Sequence, residues 1–245
     1  GVLAGAAVLM AVFIASEARS PHALMPLGFF GRRTPTGANI VSLGIGAVTF
    51  GMFFLLSLYM QQVLQFSAME TGVAYLAVAL TAILASGAAQ AAVTRIGVRS
   101  ALGIGLLCSL GGLLWFTQIP VDGTYFANLF GGFILIGVGL GFSFVPVSIA
   151  ALSGIPPVQA GLASGLLNTS QQIGGALGVA IVATVSATHT ETLMAEGTPQ
   201  PEALTQGFGL AFWVASGFAA AALIAAAVML RPRDLTESPG AVARL

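Results

Sequence analysis

Five consecutive polar residues, Asn168-Thr169-Ser170-Gln171-Gln172, hold the densest uncharged hydrogen-bonding chemistry in the chain. Amides and hydroxyls of this kind can bind a polar ligand or bond a neighbouring helix, but they are poor acids and bases at neutral pH. A second polar set, Asn39, Ser42 and Thr49 with Gly46 among them, recurs at helical spacing and points one way. Charged chemistry is scarce: only 7% of the 245 residues are charged, with eight basic residues against eight acids. The one cysteine, Cys108, has no partner and reads as a small packed hydrophobe. His22 and His189 stand alone, and no His/Cys/Asp/Glu cluster has metal-ligand spacing. There is no nucleophile–base pair, no phosphate loop and no basic stripe for nucleic acid. The sequence reads as a non-enzyme that takes no metal and no organic cofactor.

The elements that must carry these residues follow from the apolar runs. A soluble domain has about 25% charged residues, so this surface is not built for water. Residues 40–64, 73–93, 101–121, 125–151, 161–186 and 207–230 each lack a charge, and about 20 such residues span a bilayer as a helix. In lipid the backbone must satisfy itself internally, which favours helices. The expected architecture is all-α and polytopic, with six spans near 37–60, 71–94, 100–118, 125–150, 161–186 and 207–230. Residues 1–16 read as the end of a preceding transmembrane helix, because they are apolar with no initiator Met and no basic start. Residues 17–36 form a linker, either a short amphipathic stretch in the headgroup plane or an irregular loop with a few buried anchors around Pro21, Pro26 and Pro35, and 231–245 form a tail. The fifth and sixth spans are expected to be joined by the longest external loop, about 20 residues carrying three Glu.

All eight basic residues are Arg, at 19, 32, 33, 95, 99, 231, 233 and 244. They precede the first span, join the second to the third, or follow the sixth. Glu70, Asp122, Glu191, Glu196 and Glu202 fall on the opposite connections. The positive-inside rule then makes the arginine side, and with it the C-terminus, cytoplasmic.

On the fifth span a stripe of Gly161, Ser164, Gly165, Asn168, Gln171, Gln172, Gly175 and Gly178 opposes Leu162, Leu166, Ile173 and Leu177. Gly161–Gly165 and Gly174–Gly178 have the spacing that lets helix backbones approach. At 1.5 Å per residue Asn168 to Gln172 lie roughly 10–17 Å from the start of the span, near mid-membrane. Amides there need partners, either a neighbouring helix or a wet cavity. Asn39, Ser42, Thr49, Asn168, Gln171 and Gln172 are the candidate cavity lining. Gly137, Gly141 and Pro146 in the fourth span permit close packing or a bend. Arg95, Gly97 and Arg99 between the second and third spans either anchor to lipid and a helix end or act as a cytoplasmic latch. "SLGIGAVTFG" in the first span echoes "LIGVGLGFSF" in the fourth, as an inverted three-plus-three repeat would.

Four segments carry a family resemblance: "PLGFFGRRTPTGAN", "YMQQVLQFSAMETG", "GVGLGFSFVPV" and "AGLASGLLNTSQQIGGALGVA". Together they resemble the C-terminal half of a fourteen-helix drug–proton antiporter of the major facilitator superfamily. "TRIGVRS" resembles the second copy of that superfamily's cytoplasmic loop motif, with Thr94 where an Asp is usual. The resemblance implies export of lipophilic, often cationic, small molecules across a bacterial-type plasma membrane. It also implies a proton gradient as the energy source and a missing N-terminal six-helix bundle as partner. Gln171 stands where the family often has Arg, and Phe133 where the equivalent helix of the other half carries Arg. The expected spans contain no acid, so the coupling carboxylate is expected in the missing half. The rival readings are an uncoupled facilitator or metabolite exporter of the same fold, and a non-transporting scaffold or sensor.

Overall fold

The structure is a computed structural model that describes Gly5, Val8, Leu9, Val12, Ala15, Ser16 and residues 33–230. Those first six positions are helical. Arg19, Arg32, the expected headgroup-plane stretch and the 231–245 tail lie outside the described residues. Six helices are long and apolar enough to cross a membrane: α1 (Arg33–Val63), α2 (Ala68–Ile96), α3 (Val98–Phe116), α4 (Tyr125–Leu152), α5 (Pro157–Ala195) and α6 (Gln200–Met229). No strand occurs among the described residues, in keeping with the all-α reading.

Several helices outrun their charge-free cores. α1 begins at Arg33, inside the expected linker. The expected twenty-residue loop before the last span does not exist, since α5 runs to Ala195 and α6 starts at Gln200. The polar segments 187–195 and 200–206 are helical turns rather than loop, because a helix can continue beyond the apolar slab once its side chains meet water. The turn itself is a Schellman closure: Gly197 sits at φ 91°, Thr198 N–H donates to the Leu193 carbonyl and Gly197 N–H to that of Met194. Pro199 and Pro201 then open α6. At the same end α2 opens with a capping box, in which Ser67 and Glu70 bond each other's backbone N–H groups. Gly97, at φ 83°, makes the one-residue turn between α2 and α3.

Glycines set which helices meet. α1 and α5 run parallel: a Cβ on Gly46 would strike the Gln171 backbone, one on Gly174 that of Leu43, and one on Gly178 that of Ala47. α2 and α4 also run parallel, with Gly137 against Thr81 and Gly141 against Ala85. α4 lies antiparallel to α3 through Gly132 on Phe116 and Gly139 on Ser109; α1 lies antiparallel to α6 through Gly37 on Met229 and Gly44 on Ala222. Exchanging α1, α2, α3 for α4, α5, α6 maps this set of contacts onto itself, the mark of an inverted repeat. The packing register, however, pairs Gly37, Gly44 and Gly46 with Gly132, Gly139 and Gly141. The string echo, which pairs Gly44 with Gly137, is two residues out of that register. Glycine-rich helices match at several offsets, and only the partner helices distinguish them.

The two ends of the bundle are built differently. Toward the acidic residues the core is aromatic: Phe53, Tyr75, Phe133, Phe116 and Phe212 form a chain with successive ring centroids 4.8–5.7 Å apart. The three tyrosines tie this end together. Tyr59 Oη donates to the Pro120 carbonyl at 2.7 Å, Tyr75 Oη to that of Phe53 at 2.9 Å, and Tyr125 Oη to that of Ala74 at 3.0 Å. Phe133, read from the sequence as the replacement for an Arg, is fully buried in this cluster. Toward the arginines the core is smaller and aliphatic, built around Val41, Ile45, Leu102, Leu106, Val147 and Ala226.

Candidate functional site

Between α1, α4 and α5, on the arginine side of the aromatic core, lies a cleft of about 200 Å³. Ser42 reaches it from α1; Ser148, Phe144, Val147 and Ala151 from α4; and Ser164, Leu167, Asn168 and Gln171 from α5. Its walls hold three hydroxyls, two amides and an apolar remainder, with no charged residue. Each helix contributes for a local reason. The close α1–α5 contact at Gly46 and Gly174 fixes the register that turns Asn168 and Gln171 toward α4. In α4, Pro146 has no N–H for the Phe142 carbonyl one turn earlier. The backbone at Gly105 of α3 approaches that carbonyl so closely that a Cβ there would lie 2.7 Å from its oxygen. The helix stays continuous from Phe130 to Leu152, so Pro146 shapes the wall without breaking it.

The six expected lining residues do not all share this cleft. Ser42, Asn168 and Gln171 do. Ser42 Oγ also donates to the Leu167 carbonyl at 3.1 Å, and Asn168 and Gln171 have no hydrogen-bond partner among the described residues. Asn39 is instead a structural link: its Nδ2 donates to the Pro35 carbonyl at 2.8 Å, and its Oδ1 accepts from Ser170 Oγ at 3.0 Å. Thr49 lies deeper, facing a small separate void. Gln172 is exposed and lines neither the cleft nor the void beside Thr49. Three consecutive positions on a helix are spread 100° apart, so a polar run must divide among faces. Two lining residues, Ser148 and Ser164, were not among the candidates. Ser164 lies on the polar stripe of the fifth span, whereas Ser148 reads as an isolated hydroxyl until α4 is known to lie beside α1.

The glycine candidates divide likewise. Gly137, Gly141, Gly174 and Gly178 are packed against neighbouring helices. Gly161 and Gly165 have the same spacing, yet a Cβ on either would meet nothing within 4 Å among the described residues. Motif spacing permits close approach but does not supply a neighbour. The arginines divide too. Arg99 donates to the Ala227 carbonyl at 2.8 Å and Arg33 to that of Val228 at 2.8 Å, so both complete the C-terminus of α6. Arg99 was expected beside the end of α2, but its long side chain reaches the exposed carbonyls of α6. Arg95 is exposed and has no partner among the described residues. Arg33, Arg95 and Arg99 gather at one end of the bundle, and Glu70, Asp122, Glu191, Glu196 and Glu202 at the other.

Residues 1–179 match the profile of the Major Facilitator Superfamily. The chain is 32% identical over 226 residues to the puromycin resistance protein of Streptomyces alboniger, covering 91% of this chain and 45% of that protein. It is 33% identical over 185 residues to the lincomycin resistance protein of Streptomyces lincolnensis, covering 76% of this chain and 38% of that one. A multidrug resistance protein B homolog of Mycobacterium tuberculosis is 32% identical over 206 residues, covering 82% and 38%. The chain thus spans less than half the length of these relatives.

Proposed function

The chain belongs to the major facilitator superfamily, and from that premise we propose that its six helices are the C-terminal half of a small-molecule exporter working by alternating access. The observation that carries the proposal is the cleft: it lies on the arginine side of the aromatic core, and its lining joins uncharged hydroxyls and amides to apolar side chains. A wall of hydroxyls and amides beside Phe144, Val147 and Leu167 suits an amphiphilic cargo with hydrogen-bonding groups. On this reading Ser42, Asn168 and Gln171 contact the cargo, joined by Ser148 and Ser164. The resistance proteins named above support drug-like cargo. The arginine end faces the cytoplasm by the positive-inside rule, so cargo enters from within and leaves past the aromatic end when the bundle rocks.

Proton coupling needs a titratable group within the membrane. The acids of α1–α6 are Glu70, Glu191 and Glu202, all in terminal turns. This half therefore supplies a cargo wall, and the coupling carboxylate belongs to a second bundle. Asn168 and Gln171, without partners among the described residues, favour a transporter over a scaffold, which would pair its amides internally. The test is proton-gradient-driven efflux of a fluorescent cationic dye and a neutral drug from vesicles carrying the full-length protein, with and without Gln171→Arg. We expect gradient-dependent efflux, and a several-fold loss of the cation relative to the neutral drug in the variant. Efflux indifferent to the gradient would remove antiport, and unchanged preference would remove Gln171 from the cargo wall.

A further inference from the structure

The Oγ1 of Thr49 and the Oγ of Ser143 are both buried with no hydrogen-bond partner. Both border one small void, lined also by Ile45, Val48, Leu106, Ser109, Leu140 and Ala219. Ser143 is 1% exposed and Ser109 4%. The void lies on the α1–α4 seam, roughly 6–10 Å beyond the cleft by helix rise from Val147 to Ser143 and from Ser42 to Thr49. Its free volume is about 10 Å³, close to the 10–15 Å³ that one water needs. Three hydroxyls border it, within the two to four partners a buried water takes.

We infer that this void holds one ordered water bridging Thr49 of α1 to Ser143 of α4, with the Ser109 hydroxyl of α3 as third partner. The chemistry selects a neutral occupant. No carboxylate borders the site, so a cation there would keep its desolvation cost uncompensated. Water can donate and accept at once, which hydroxyls need and an apolar filler cannot give. The bridge joins the first helix of each three-helix repeat at a point where the two make no direct side-chain hydrogen bond. It gives the seam a polar link that tolerates small shifts of α1 against α4.

A double-substitution cycle on the full-length protein tests this. Thr49→Val and Ser143→Ala are each expected to lower the melting temperature by about 2–6 °C, since each strands a buried partner. The double variant is expected to fall by clearly less than the sum, because both polar ends are then gone. Single changes that are neutral or stabilising, or effects that simply add, would overturn the bridge. A high-resolution structure gives an independent reading. Density within about 2.6–3.2 Å of both oxygens supports the water. An empty void with each hydroxyl bonded to its own helix, or a sodium-dependent peak at shorter distances, refutes it.

Discussion

Two glycine pairs with identical spacing should respond in opposite directions to the same substitution. In Gly174→Ala the new methyl would overlap the Leu43 carbonyl and lie 2.6 Å from its carbon, where ordinary contact begins at 3.4 Å. The obstacle is backbone, so relief requires α1 and α5 to part by roughly 1 Å along a seam that also seats Gly46 and Gly178. Overpacking of this size costs about 1–3 kcal/mol, and the gain of Ala over Gly within a helix returns about 0.5–1 kcal/mol. The net loss is about 0–2.5 kcal/mol, centred near 1 kcal/mol, or up to roughly 10 °C in melting temperature for a chain of this size. Gly165→Ala meets no atom of the described residues within 4 Å and keeps only the helix gain, about 1–4 °C upward. Thermal melts of both variants, purified side by side in one detergent, decide the matter. Equal shifts, or a loss at Gly165 matching that at Gly174, would refute the claim that only the second pair is an internal helix contact.

Two further substitutions probe the ends of the bundle. Gln65 is held at φ 58° where α1 ends, and among the described residues its side chain bonds only the nearby Gln62 carbonyl. Gln65→Gly should therefore raise the melting temperature by about 1–3 °C, and a fall would show that the side chain matters more than the backbone strain. Arg99→Gln should lower it by about 1–4 °C at low salt and less at high salt, because a guanidinium leaves the α6 C-terminus. Arg95→Gln should leave it unchanged; equal losses would mean that the contact with Ala227 is not what stabilises.

Charge alone made the number of spans and the two ends of the bundle readable, since a missing charge over about 20 residues is a strong signal. Helix length beyond the slab was not readable that way. Thr192, Glu191 and Glu202 look like loop residues to a hydropathy argument, while "EGTP" at 196–199 carries the real turn signal in Gly197 and Pro199. The repeat register was hidden for a related reason: a string of glycines aligns with another at several offsets. What resolved it was the partner of each glycine, a tertiary fact. The tyrosine ties escaped notice because each joins residues 22 to 61 positions apart, and nothing local marks them.

The polar run shows how far a helical wheel can go and where it stops. A wheel places Ser170, Gln171 and Asn168 on successive faces, but not which face meets α1, which meets α4 and which meets neither. The α1–α5 register supplies that: Ser170 lies across from Asn39, 131 residues away in sequence, and Leu167 across from Ser42, 125 away. Within that register Gln171 has a divided position. Its backbone carbonyl is packed against Gly46, while its half-buried side chain lines the cleft. The backbone half belongs to the fold and is indifferent to side-chain identity. The side-chain half has no bond to lose among the described residues. A longer, charged side chain at 171 should consequently be tolerated by the fold and felt by whatever occupies the cleft. A Gln171→Arg variant that failed to fold would place the side chain in packing instead.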